Sequence, residues 1–127
     1  MDLSRNPALF QLDVSGNKIT SLNLSANRAL GSLWVFGNQL ETLDLSNNLD
    51  LKILDCSSNA LASLDVSQHQ KITGLICFNN KLTSLEIHKD APVQKLWAYG
   101  NPLTKTAADK LTALQTASPE IDLWVEN

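Results

Sequence analysis

Long apolar runs are missing from this 127-residue chain. None approaches the 18 or so residues of a membrane-spanning helix, and no charged-then-apolar leader follows Met1. Basic residues are in the minority: ten Lys and Arg against thirteen Asp and Glu leave a net charge of -3. A nucleic-acid partner needs a basic face, so that class is set aside. Only two cysteines occur, with no Cys-x-x-Cys pair and no Cys/His cluster, so zinc is not indicated. Five glycines scattered through turns make no phosphate-cradling loop. The 43% hydrophobic content is ordinary for a folded protein and argues against disorder.

What is present is a period. Slid against itself by 21 residues, the sequence aligns Leu9, Leu30, Leu51, Ile72 and Val93 in one column, and Leu12, Leu33, Leu54, Leu75 and Leu96 in the next. Further columns hold Val14, Val35, Cys56, Cys77 and Ala98, then Asn17, Asn38, Asn59, Asn80 and Asn101, then Ile19, Leu40, Leu61, Leu82 and Leu103. A fixed period of this size marks a solenoid, which buries its core by stacking neighbouring coils. Each unit carries the pattern L-x-x-L-x-L-x-x-N-x twice, the second time with one extra residue. Leu9-x-x-Leu12-x-Val14-x-x-Asn17-x is followed by Ile19-x-x-Leu22-x-Leu24-x-x-Asn27-x-x. Each half reads as a short alternating strand and a polar turn.

The pattern resembles the leucine-rich repeat, and more narrowly the nested 21-residue bacterial subtype (sometimes called IRREKO) in which both halves carry the motif. The resemblance runs from Met1 to about Leu103, with Leu-Asp-Cys-Ser-Ser-Asn at 54–59 typical of it. The implied fold is an α/β repeat solenoid: a right-handed, nearly straight coil of short parallel strands on two faces. Residues 1–127 are expected to form one solenoid, with a partial first coil at 1–8, repeats over 9–103 and a helix-strand cap over 104–127. In that cap, Thr106-Ala-Ala-Asp109 has capping-box spacing, and Ala108, Leu111 and Leu114 recur at helical intervals. Ser118-Pro119 stops the helix, and 121–125 alternates like a last strand pairing parallel to 96–99.

Coils stacked roughly 4.8 Å apart turn each column into a ladder. The asparagines at 17, 38, 59, 80 and 101 are expected inside the turn, bonding the backbone that bends around them. The second column reads Asn6, Asn27, Asn48, His69 and Asp90, so His69 and Asp90 would be neighbours. They form either a pH-sensitive pair or a degenerating turn that is solvated or hydrogen-bonded. Cys56 and Cys77, in register on parallel strands, suit a disulfide badly and read as buried free thiols.

The outward positions of the first half-repeat read Asp13/Ser15, Trp34/Phe36, Asp55/Ser57, Ile76/Phe78, Trp97/Tyr99 and, by alignment, Asp122/Trp124. Six of the seven aromatic residues, all but Phe10, thus point off one sheet face. An exposed aromatic patch marks an interaction surface, since rings bury large areas with few rotors. A covering helix, a flanking domain or a homodimer could equally occupy it. The second half-repeats give a polar face with Asp44, Asp65 and Glu86 in one column, too flat and too poor in oxygens for calcium. Ser67, His88 and Glu86 are the sole nucleophile–base grouping, and they lie on an open face without oxyanion donors. The reading is therefore a non-catalytic protein-recognition module, without cofactor or metal, that presents Trp34, Phe36, Ile76, Phe78, Trp97, Tyr99 and Trp124. Two alternatives stand beside it: a carbohydrate-binding face, and a structural spacer of a larger bacterial surface protein.

Met1 takes the place of Leu22 when residues 1–9 are laid on 22–30, so the chain begins in mid-coil without a polar cap. Solenoids need caps to stay soluble. The expectation is a longer parent protein, secreted or at a cell surface, which leaves the compartment of this chain open.

Overall fold

The computed structural model describes residues 1–126 and shows a coil that closes on itself every 21 residues. The first half of each unit supplies a strand: β1 (Gln11–Asp13), β2 (Ser32–Trp34), β3 (Ile53–Asp55), β5 (Gly74–Ile76) and β7 (Lys95–Trp97). The second halves give β4 (Asp65–Val66) and β6 (Glu86–Ile87), and the C-terminal stretch gives α1 (Lys105–Ala117) and β8 (Asp122–Trp124). One parallel sheet of six strands runs β1-β2-β3-β5-β7-β8, and a two-stranded sheet pairs β4 with β6. Leu12, Leu33, Leu54, Leu75 and Leu96 are direct partners across the larger sheet. The leucine column is therefore a physical stack, and from Leu33 to Leu96 it has no solvent exposure.

From Asn38 onward the first asparagine column closes each turn in the same way, whereas Asn17 bonds only the Val14 and Ser15 carbonyls of its own coil. Asn80 donates its Nδ2 to the carbonyls of Cys56 and Cys77, both at 3.1 Å, and its Oδ1 accepts the Leu61 N–H at 3.0 Å. Asn38, Asn59 and Asn101 repeat this arrangement one coil apart. The position before each asparagine must adopt the left-handed conformation: Gly16, Gly37 and Gly100 have φ of 67°, 67° and 68°, Ser58 and Asn79 φ of 53° and 54°. Glycine takes that conformation without a Cβ clash, which explains its recurrence there.

The second column works by half. Asn27 and Asn48 donate to the carbonyls of Leu3 and Leu24 at 3.1 Å, and His69 takes up the same role with Nε2 3.0 Å from the Leu45 carbonyl. The extra residue of this half-repeat moves the matching N–H away, and Asn27 Oδ1, Asn48 Oδ1 and His69 Nδ1 are buried without a partner. His69 is thus a ladder residue facing the preceding coil. Asp90 is exposed, and its N–H donates to His88 Nδ1 at 3.0 Å, so it forms no pair with His69 among the described residues. Strand pairing on this side begins where the side-chain ladder ends. Val66, whose carbonyl has no asparagine from the next coil, sits in β4 beside Ile87 of β6.

Cys56 and Cys77 are free thiols with no exposure. Burial pushes the Cys77 thiol up to about 12 and Cys56 well above its ordinary value, so both act as small apolar groups. The helix begins two residues earlier than its capping-box spacing implies. Thr104 is the N-cap, its hydroxyl accepting the Ala107 N–H at 3.1 Å, while Asp109 pairs with Lys105 at 2.7 Å. Ala107, Ala108 and Leu111 are its buried face, and Lys110 reaches Glu86 of β6 at 3.2 Å.

Candidate recognition face

Side chains alternate across a strand, so each leucine of the larger sheet that points inward has outward neighbours on either side. Register then fixes which of these meet. Asp13 lies beside Trp34, Trp34 beside Asp55, Asp55 beside Ile76, and Ile76 beside Trp97. The last strand is shifted by two residues from the sequence alignment. Trp124 lies opposite Trp97, and Asp122 opposite Lys95. This register drops Leu123 onto Leu96 in the core, while Ile121 is buried near the helix, where Gln115 donates to its carbonyl at 3.1 Å.

All seven residues singled out from the sequence lie on this face. Phe36 and Trp124 are 39% and 53% exposed, and Trp34, Ile76, Phe78, Trp97 and Tyr99 are half-buried. Four of the rings form one connected group at the C-terminal end. Phe78 and Tyr99 stack at 4.7 Å with planes 4° apart, Tyr99 meets Trp124 at 4.3 Å, and Trp97 meets Trp124 edge-on at 6.0 Å. Lys95 Nζ lies 4.6 Å from the centre of the Trp97 ring, a cation–π contact within the chain. The Trp97 indole nitrogen is buried without an acceptor among the described residues. Trp34 and Phe36 stand apart, separated from the ring group by Asp55 and Ser57.

Most of the outward acids are bracketed by the serine two residues on. Asp13 accepts the Ser15 N–H at 3.0 Å and its hydroxyl at 2.5 Å, and Asp55 and Asp65 hold Ser57 and Ser67 in the same way. The Asp-x-Ser spelling, present in five of the ten half-repeats, is the signal that could have revealed this. The serine hydroxyl, and then its amide, hold Asp2, Asp13, Asp44 and Asp65 below the ordinary carboxylate value of 3.8. Phe10 was also missed as an exposed ring. It is 56% exposed and lies against Gly31, the single glycine in its column.

On the polar face Ser67 gives its hydroxyl to Asp65, His88 Nδ1 is taken by the Asp90 amide, and Glu86 pairs with Lys110. The three residues are thus each engaged with other partners. No group of three His, Cys, Asp or Glu among the described residues is placed to hold a metal. A cleft of about 400 Å³ between residues 87–94 and the end of α1 has a mixed lining, with Ile87, Val93, Leu114 and Ile121 beside Lys89 and Glu120.

Solved structures share this coil. The functional domain of InlJ from Listeria monocytogenes, described as including a cysteine ladder, matches 83% of the chain at 34% identity with a TM-score of 0.79. A leucine-rich repeat protein of Leptospira interrogans matches 91% at 25% identity with a TM-score of 0.75. The fold is that of the bacterial leucine-rich repeat proteins. An internalin, InlF, also from Listeria monocytogenes, shares the fold at 18% identity over 93% of the chain, with a TM-score of 0.74. The chain spans 24%, 30% and 36% of the length of these three proteins. No protein-family model and no curated protein matches this leucine-rich repeat chain.

Proposed function

We propose that this leucine-rich repeat chain is a non-catalytic recognition module that binds a protein through the aromatic face of its six-stranded sheet. The connected rings of Phe78, Tyr99, Trp97 and Trp124, partly exposed on a sheet braced by the asparagine ladder, are the observation that carries the reading. Repeat solenoids offer extended surfaces of this kind, and the internalin-like neighbours are consistent with an interaction scaffold. A protein partner fits better than a sugar. Phe78 and Tyr99 turn their faces on one another, leaving edges for contact, whereas a pyranose stacks on a free ring face. We also read the chain as the nested 21-residue subtype, forming one solenoid.

A photo-crosslinking amino acid placed at Phe36, and separately at Asn23 on the polar face, tests the proposal in extracts of the source cells and their surroundings. A discrete protein adduct from position 36 and none from position 23 is expected. Glycan adducts, adducts only to a second copy of the chain, or equal labelling from both positions would overturn it.

A further inference from the structure

Among the described residues, Trp34 has no aromatic ring and no cation against it. Its register neighbours are both acids, Asp13 on β1 and Asp55 on β3. At about 4.8 Å per strand step the two carboxylates lie roughly 10 Å apart, with the indole between them. Asp55 is half-buried, and its Oδ1 accepts the Ser57 N–H at 3.1 Å and hydroxyl at 2.6 Å. Ser57 is itself buried, so the carboxylate is fixed, and Oδ2 has no hydrogen bond among the described residues. Among the described residues the ion pairs are Lys71–Asp50, Lys105–Asp109 and Lys110–Glu86, none of which includes Asp13 or Asp55. A fixed anion beside an indole that no cation of the described residues covers asks for a cation from outside.

The other end of the same sheet supplies that cation from within. Lys95 sits two residues before Trp97 and lies over its ring at 4.6 Å. The equivalent place before Trp34 belongs to Ser32, which is neutral and buried. We propose that the Asp13–Trp34–Asp55 strip receives an arginine side chain of a protein partner, its guanidinium stacked on the indole and hydrogen-bonded to Asp55. Arginine fits better than lysine because its planar group can stack and donate in a fork at once. The inference rests on the reading of this face as a protein-recognition face, and it names what the N-terminal part of that face selects.

Nitrogen-15 NMR of the whole chain tests it, with the peptide acetyl-Gly-Ser-Arg-Ser-Gly-amide as the probe and its citrulline counterpart as the neutral isostere. Saturable shifts of the Trp34 indole and the Ser57 amide are expected, with an affinity on the order of millimolar. The citrulline peptide is expected to bind about tenfold more weakly, since it keeps the shape and loses the charge. Asp55→Asn should weaken the arginine peptide about fivefold, as expected for a half-exposed charge pair. This variant should fold, because Asn23 already holds the same bracket, its Oδ1 accepting the Ser25 N–H at 3.0 Å and hydroxyl at 2.7 Å. Equal binding of the two peptides, an unaffected Asp55→Asn variant, or no shift at Trp34 with either peptide would overturn the arginine assignment. So would a response of Trp34 to cellohexaose alone. The crosslinking experiment at Phe36 is independent of all of these, so a failure of the arginine site and a failure of the recognition face can be told apart.

Discussion

At the scale of single residues, the asparagine that closes each first turn is the most consequential. Asn80 satisfies the Cys56 and Cys77 carbonyls and the Leu61 amide at once. Asn80→Ala leaves the Leu61 amide without an acceptor and opens a cavity, while the Cys56 and Cys77 carbonyls keep one donor each from Asn59 and Asn101, so a loss of about 2–4 kcal/mol is expected from urea titration. A loss below about 1 kcal/mol would mean that the ladder is ornamental. The bracketed aspartates predict a pH dependence. Their folded values lie below 3.8, so their contribution is fully present above that value and is lost as the pH falls through the lowered values. The urea midpoint should therefore hold from neutrality to about pH 5 and decline below pH 4. Ser67→Ala removes the hydroxyl that acts most strongly on Asp65, and the Asp65 titration followed by NMR should move up toward 3.8. An unchanged titration would show that the amide alone sets it.

At the scale of elements, legibility followed repetition. A residue stacked on its own kind one period away declares its neighbours, so the leucine and asparagine columns and the outward pairs from Asp13 to Tyr99 could be placed from spacing alone. The period stops after Leu103, and there spacing no longer decides. Two alternating frames, two residues apart, put an apolar residue inward in the last strand. The choice falls to tertiary packing, in which Ile121 is buried near α1 and Leu123 joins Leu96. His69 shows a second limit. The break in its column was readable, but imidazole Nε2 reaching the carbonyl that an amide would reach is a matter of geometry. The helix start followed local chemistry closer to Pro102 than the spacing suggested, with Thr104 as the cap. Thr104→Ala should cost about 1 kcal/mol in thermal or urea unfolding. The same change at Thr106, which caps nothing, should cost less than half of that.

At the scale of the whole molecule, the ladder and the face are one construction. Stacking at a fixed step holds each turn closed, and that step also sets the outward rings side by side, so the surface is as regular as the core beneath it. The uneven distribution of rings then divides the face. A continuous ring group lies at the C-terminal end, and a lone indole between two acids lies toward β1. The Trp34→Ser, Trp97→Ser double variant tests the central claim most directly, because it removes a ring from each part and leaves the ladder intact. Circular dichroism should show the same coil with a lowered melting temperature, while capture of the protein found by crosslinking from position 36 should be lost. Undiminished capture by a folded double variant would contradict the account.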